Sequence, residues 1–455
     1  MIKVKHKSRK KHQSITTTRI IMLGFIVGII LGTLLLMLPI SVTPGNKISP
    51  IDALFIATSS ICVTGLATVN IGLTFSAFGQ AVILFLIQIG GLGVVTFTML
   101  FLIGIGHRIN LSDRLLLMSA YNTDSIGGLL KLTEKIVKVT LIIELIGAFC
   151  YSFVFIPQYG AVGIWYSIFH SVSAFCNAGI DLLGKNSFNE YVGNPIINTT
   201  TICLIVAGGL GFPVYWEIER IFRERKKDCY KKKLSLQAKI VLSATAFLIL
   251  SGAIVTYIFE CNNPDTIGNL SLGDKIWACL FQSVTLRTAG FATIDQCNFT
   301  EPSCLVYIIL MIIGGSPSGT AGGIKTVTFI IIIASTISNI RGEHNVVVFK
   351  RTISDEFVRR CLSIATFSIS VWVLLTILLL FEQQCDFLDA IYEMASAIAT
   401  VGLSRGLTGE LTTLGKLLVS LTMYLGRIGP ITLALAFNYS KKSHIESAKN
   451  KIIIG

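Results

Sequence analysis

The sequence predicts an all-α polytopic membrane protein, built as four tandem helix–re-entrant pore helix–helix repeats around a central pore. Three observations carry this. Hydrophobic residues make up 52% of the 455 residues and charged residues 14%, where soluble globular domains hold about 25% charged. Long apolar segments alternate with short ones. One glycine recurs four times at a near-constant interval. A soluble enzyme or a secreted domain of this length cannot hide so much apolar surface.

Eight long apolar segments run over 20–40, 80–105, 136–157, 196–217, 237–259, 303–339, 356–381 and 413–437. Inside each consecutive pair lies a shorter one, near 51–62, 163–175, 274–286 and 387–398. A dozen helical residues span about 18 Å, short of a hydrocarbon core of about 30 Å. The short segments therefore enter the membrane and turn back. The uncharged run Ile20–Ile40 follows a basic stretch, as in a signal peptide. It is long enough to span and lacks a small-residue cleavage site, so it reads as an uncleaved first span.

Charge orients the layout. Of 38 Lys/Arg, 30 fall in 1–19, 106–138, 217–239, 338–360 and 438–455. Cytoplasmic residues are enriched in this way, which places both termini inside a multi-pass cell (plasma) membrane protein. Lys47, Lys185, Lys275, Arg287 and Arg405 fall outside, leaving Lys325, Lys416 and Arg427. Thirteen of the 25 acids are outer, among them Asp52, Asp181, Glu190, Asp274, Asp389 and Glu393. Such a mouth favours cations. The net charge of +13 is thus a topology signal, and nucleic acid is not an expected partner. The basic stretch Arg220–Lys233 fits the inner surface and anionic membrane lipid. The 11 cysteines contain no CxxC pair and read as small buried hydrophobes. Cys261, Cys297, Cys304 and Cys385 lie near the outer face, but their spacing does not define a disulfide.

The short segments end alike: Val63-Thr64-Gly65, Asn177-Ala178-Gly179, Thr288-Ala289-Gly290 and Thr400-Val401-Gly402. The glycines are 114, 111 and 112 residues apart. Twelve positions before each stands a small residue: Ala53, Ser167, Ala278 or Ala390. Ten before stands a large one (Phe55, Phe169, Leu280, Tyr392), and four before an apolar one (Ile61, Phe175, Leu286, Ile398). Each repeat is bracketed by cytoplasmic charge, so all four point the same way. Repeats of one sense can stand around one axis. Each re-entrant helix then aims its negative C-terminal end at the centre, and the segment after it returns outward. Its backbone carbonyls can replace a cation's hydration shell. Glycine is needed where φ > 0 turns carbonyls towards the ion, and irregular backbone is allowed where it lines a wet path.

These motifs resemble the Trk/Ktr/HKT superfamily of potassium transporters, and most of all the membrane subunit of bacterial Ktr systems, over almost the whole chain. The resemblance implies potassium at a filter made by the four tripeptides above, with one ion path per subunit. It implies a homodimer and a cytosolic RCK-type ring of nucleotide-binding regulatory subunits. It implies no cofactor in this chain, a nucleotide on the partner, and leaves sodium dependence open. Glycine in the first filter segment, here Gly65, goes with potassium in this family, and serine with sodium. The alternative is a sodium-selective uniporter of the same superfamily. Unlike tetrameric potassium channels, these segments lack a second, tyrosine-linked glycine, so weaker selectivity is an expectation. The repeats map to 20–110, 111–222, 223–342 and 343–440, with a basic N-terminus (1–19) and a C-terminal tail (441–455).

A second set of glycines begins 25, 29, 24 and 24 residues after the first: Gly90, Gly208, Gly314 and Gly426. Close packing or a kink explains them equally well. In the third repeat the run Gly314-Gly315-Ser316-Pro317-Ser318-Gly319-Thr320-Ala321-Gly322-Gly323-Ile324-Lys325 breaks the apolar segment. It is not a phosphate-binding loop, because Ile324 stands where glycine must precede the lysine. It reads as an intramembrane gate near 314–326 that blocks the path below the filter. Arg427, at membrane depth, demands water or a partner. The resemblance places it facing the pore beside this loop. An intramembrane enzyme is the rival class, but His170, Asp181 and Glu144 share no catalytic motif. His170 is expected to pack or hydrogen-bond on the second re-entrant helix. A scaffold for a cytosolic partner leaves the fourfold pattern unexplained.

Overall fold

The computed structural model describes residues 17–93, 96, 129–184, 187–225, 234–343 and 345–429. Among these, four helices are long and apolar enough to cross a membrane: Arg19–Leu36, Thr133–Tyr159, Leu236–Glu260 and Asp355–Glu382. They are the outer helices of the four repeats. Their side chains invert the soluble pattern. Leu145, Phe149, Phe247 and Phe381 are exposed, while Thr140, Glu144, Thr245 and Thr376 are buried. Apolar faces suit lipid, and polar groups turn to protein, where Glu144 accepts from Gln88 and Thr376 donates to the Trp372 carbonyl.

The re-entrant helices are Pro50–Cys62, Val162–Phe175, Leu272–Thr285 and Phe387–Ala399. Ser49, Ser271 and Asp386 cap three of them, accepting the N–H of Asp52, Asp274 and Leu388. Each such cap contributes about 1 kcal/mol. The second starts without a side-chain cap, directly after the turn at Gly160 and Ala161. The small residues twelve before each glycine are all buried, as are Phe55, Phe169 and Tyr392, whereas Leu280 is only partly so.

The long apolar segments 80–105, 196–217 and 413–437 end as helices earlier than expected, while the break expected in the third repeat is present. The inner helices stop at Leu92, Leu210, Ile312 and Ile428. Gly93, Gly211 and Gly429 end three of them with φ of 88°, 84° and 81°, a conformation that glycine alone adopts without strain. After Gly211 the chain bends by 95° into Phe212–Arg225. In the third repeat a loop over 313–325 separates Glu301–Ile312 from Thr326–Ile340. The segments 80–105, 196–217, 303–339 and 413–437 are therefore shorter helices, each followed by a break. Residues 97–105 and 430–437 lie outside the described residues, as do 1–16, Lys185, 226–233 and the tail 441–455. An antiparallel hairpin, Val346–Val348 with Arg351–Ile353, pairs Val346 with Ile353. The ten described cysteines are free thiols, Cys261, Cys297, Cys304 and Cys385 included.

Candidate functional site

The four glycine segments meet at the inner ends of the re-entrant helices. Gly65, Gly179, Gly290 and Gly402 have φ of +102°, +64°, +85° and +97°. A Cβ on Gly65 would strike the carbonyl oxygen of Ala178, and one on Gly179 that of Ala289. On Gly290 it would lie 2.6 Å from the Val401 oxygen, and on Gly402 it would strike that of Thr64. The contacts run from repeat 1 to 2, 2 to 3, 3 to 4, and 4 back to 1, so the repeats close a ring about one axis. The ring is tight: a Cβ on Gly402 would stand 3.0 Å from the Gly65 Cα and 3.1 Å from the Gly290 Cα. Glycine recurs because the next repeat's backbone occupies the place of a side chain.

A second feature is invisible in the residue types. Two positions before each glycine, Val63, Asn177, Thr288 and Thr400 all have positive φ, between 52° and 68°. The residues are unlike, and a β-branched side chain resists this conformation. Backbone bonds hold it. The N–H of Thr64, Ala178 and Val401 donates at 2.8 Å to the carbonyls of Ser59, Ser173 and Ser396, six positions before each glycine. Ser59 and Ser396 also accept the glycine N–H of Gly65 and Gly402 on their hydroxyls, both at 3.0 Å. Ser173 donates to the Ile180 carbonyl at 2.7 Å, and Thr285 to that of Phe291 at 2.6 Å. The serine at that spacing in three repeats was the sequence signal for these bonds. The hydroxyls of Thr64 and Thr400 are buried with no hydrogen-bond partner among the described residues.

The inner-helix glycines admit the ends of the re-entrant helices. A Cβ on Gly90, Gly208 or Gly426 would collide with the carbonyl of Ile61, Phe175 or Ile398, each four positions before a glycine of the ring. The third repeat differs. There the Leu286 carbonyl has no such glycine against it, and Gly314 packs on Gly322 of its own loop.

That loop lies just inside the ring. Gly322 donates its N–H to the Thr288 hydroxyl at 3.2 Å, and a Cβ on it would meet Thr400 and, at 2.6 Å, the Ala399 oxygen. Ser316 and Thr320 donate backbone N–H groups to Gly209 and Gly208 of repeat 2, at 3.0 and 3.1 Å. Gly315 pairs with Gly322 at 3.2 Å, Ser316 shares a 3.2 Å hydroxyl contact with Thr326, and Ser318 accepts from Phe212 at 3.3 Å. Gly319 sits against the Gly208 carbonyl, where its Cβ would stand 2.9 Å away, and Gly323 has φ of +67°. Arg427 donates to the Thr320 carbonyl at 2.6 Å and to that of Gly90, and Lys325 folds onto the Ala321 carbonyl at 2.6 Å. The loop thus touches repeats 2, 3 and 4, and Arg427 links it to Gly90 of repeat 1. A cavity of about 1210 Å³ opens beneath it, and Lys325, Arg360 and Arg427 are among its lining.

The outer charges rearrange. Arg287, expected at the outer face, is buried beneath the ring, and its guanidinium donates to the Gly314 carbonyl at 3.3 Å. Lys416 pairs with Asp52 at 2.7 Å, and Arg405 with Asp389 at 2.7 Å. Glu393 is fully buried, accepting from Ser404 at 2.6 Å and from Thr408. Part of the acidic excess is therefore structural and does not face a passing ion. His170 sits among Phe155, Phe188 and Phe291, with Nδ1 2.7 Å from the Tyr166 carbonyl and Nε2 accepting from Leu182 at 3.3 Å. It packs and hydrogen-bonds, as expected. Glu144 accepts from Gln88 at 3.2 Å, and Asp181 from Leu183 at 3.1 Å.

Known proteins share this layout. A family model described as TrkH, cation transport protein, matches residues 3–447. The Ktr system potassium uptake protein B of Bacillus subtilis is 40% identical over 97% of each chain. The potassium/sodium uptake protein NtpJ of Enterococcus hirae is 37% identical, over 95% of this chain and 94% of its own. The crystal structure of the potassium transporter TrkH from Vibrio parahaemolyticus superposes with a TM-score of 0.75 at 16% identity, covering 95% of this chain and 87% of that one. At that identity the likeness shows the fold.

Proposed function

The chain belongs to the TrkH cation transport protein family, and on that premise we propose that it takes up potassium across the cell membrane through the ring of Gly65, Gly179, Gly290 and Gly402. The observation that carries this is the cyclic contact of each glycine with the carbonyl before the next glycine. Such a ring brings the carbonyls of Thr64, Ala178, Ala289 and Val401 to one level, where they replace part of a cation's hydration shell. Val63, Asn177, Thr288 and Thr400 bring in the next carbonyls, with the unpartnered hydroxyls of Thr64 and Thr400 as further oxygen donors. Four re-entrant helix C-termini supply negative potential towards the axis. Gly65 and the naming of the relatives as potassium uptake proteins favour potassium over a sodium-selective uniporter.

The loop over Gly314, Gly315, Ser316, Ser318, Gly319, Gly322, Gly323 and Lys325, with Arg427, is the gate in this reading. It fills the path below the ring, and no described carboxylate pairs with Lys325 or Arg427. The four repeats at 20–110, 111–222, 223–342 and 343–440 act as one pathway per subunit. A homodimer, a cytosolic RCK-type nucleotide-binding ring, contact with membrane lipid, cytoplasmic termini and a sodium-dependent step complete the proposal. Rubidium uptake into proteoliposomes tests it, with potassium and sodium as competitors and with or without the cytosolic subunit. Potassium competition with little sodium competition is expected. Equal competition by both sinks the potassium assignment, and no flux under any condition sinks the transport reading.

A further inference from the structure

The third inner helix ends one turn early. In repeats 1, 2 and 4 the helix runs two residues beyond Gly90, Gly208 and Gly426, to Leu92, Leu210 and Ile428. In repeat 3 it stops at Ile312, two residues before the matching Gly314. The deficit of four residues is about 6 Å of helix. At this level the side chain three positions before the filter glycine is Cys62, Cys176 or Ala399 in the other repeats, and Arg287 here. An arginine side chain is long enough to cross the gap.

The surroundings fit a cation. Arg287 stands one residue past the C-cap of the third re-entrant helix, at Leu286. Its guanidinium reaches Gly314, one residue past the C-cap of the shortened inner helix, at Ile313. Two helix C-termini, each carrying partial negative charge, thus converge on it. It is 8% exposed, and its Nε has no hydrogen-bond partner among the described residues. No described carboxylate pairs with it. A buried charge held mainly by helix ends is costly unless it fixes an arrangement.

We infer that Arg287 is a positioning residue that takes the place of the missing turn, tying Gly314 of the 313–325 loop to the start of the third filter segment. Thr288, the next residue, sits in the filter segment and accepts from Gly322 at 3.2 Å. Two adjacent residues of repeat 3 therefore grip both stems of the loop, since Gly315 and Gly322 pair across it. Release of the loop then disturbs the third filter segment, and the reverse. The other three repeats keep small residues, Cys62, Cys176 and Ala399, at this place.

The inference rests on the gate reading, and the test separates the two. Resting rubidium uptake and the potassium-to-sodium competition ratio are measured in proteoliposomes, without a cytosolic subunit, for the wild type, a deletion of 316–321, Arg287→Met and Arg287→Lys. Arg287→Met is expected to raise resting flux about tenfold, the loss of roughly one charge-assisted hydrogen bond, and to lower the competition ratio. Arg287→Lys keeps the charge but not the planar reach, and should fall between Met and wild type. A merely structural role would lower the amount of folded protein and leave flux per folded protein and the ratio unchanged, which overturns the inference. If the loop deletion raises flux but both Arg287 variants match the wild type, the positioning role fails while the gate stands. If the deletion itself leaves flux unchanged, the gate reading fails. Should Arg287→Met not assemble, wild-type flux and ratio in Arg287→Lys overturn the inference, and raised flux supports it.

Discussion

Replacing Gly65 by alanine tests the ring directly. Its φ of +102° costs an L-residue about 1–2 kcal/mol. The new Cβ also strikes the Ala178 carbonyl and stands 3.2 Å from the Gly402 Cα. Both are backbone atoms, so relief needs a shift of about 1 Å before ordinary contact returns. A ring of carbonyls displaced that far no longer matches one ion radius, and a loss of 1.4 kcal/mol in discrimination is about tenfold. Gly406 supplies the control. It has the same φ, +102°, and nothing lies within 4 Å of the place a Cβ would take, so Gly406→Ala carries the strain without the collision. Rubidium uptake with competing potassium and sodium should show the ratio fall at least tenfold for Gly65→Ala and hold for Gly406→Ala. A Gly65→Ala protein with selectivity within twofold of wild type refutes the backbone-ring argument. So does a Gly406→Ala protein equally impaired.

Three further outcomes follow from named contacts. Arg427→Ala removes donors to Thr320 and Gly90 and should raise resting rubidium flux about tenfold or more; unchanged flux counts against its hold on the loop. Lys416→Met leaves Asp52, on the first re-entrant helix, without its 2.7 Å partner on the fourth inner helix. A loss of about 1–3 kcal/mol should lower the thermal midpoint, and a double cycle with Asp52→Asn should be strongly non-additive; simple additivity argues against the pair. Glu144→Gln keeps a polar partner for Gln88 and should retain most thermal stability, whereas Glu144→Leu removes the acceptor of the Gln88 amide N–H at a cost of about 1–3 kcal/mol. Equal midpoints for the two variants would show that this buried contact does not matter.

Much of the glycine ring was legible in the chain because it is repeated. Gly65, Gly179, Gly290 and Gly402 stand out by spacing, and the short helices before them by length against a fixed membrane thickness. The inner helices were harder. Gly93, Gly211 and Gly429 look like packing glycines in a line of text, yet each ends a helix, because only φ distinguishes a break from a close approach. Arg287 was misplaced because the count of residues after a re-entrant helix does not say whether a side chain points out to the mouth or in beneath the ring.

The sequence by itself determined the class, the number of repeats, their common sense and the backbone positions that must be glycine, since composition, hydropathy length and period are properties of the chain alone. Tertiary structure decided what no window of residues contains. It closed the four glycines into a cycle, because each is excluded by a carbonyl more than a hundred residues away in sequence. It forced Val63, Asn177, Thr288 and Thr400 into one left-handed conformation through bonds to the preceding helix. It also set Arg287 in the gap of a missing helical turn, where two helix ends supply the negative potential that a buried cation requires.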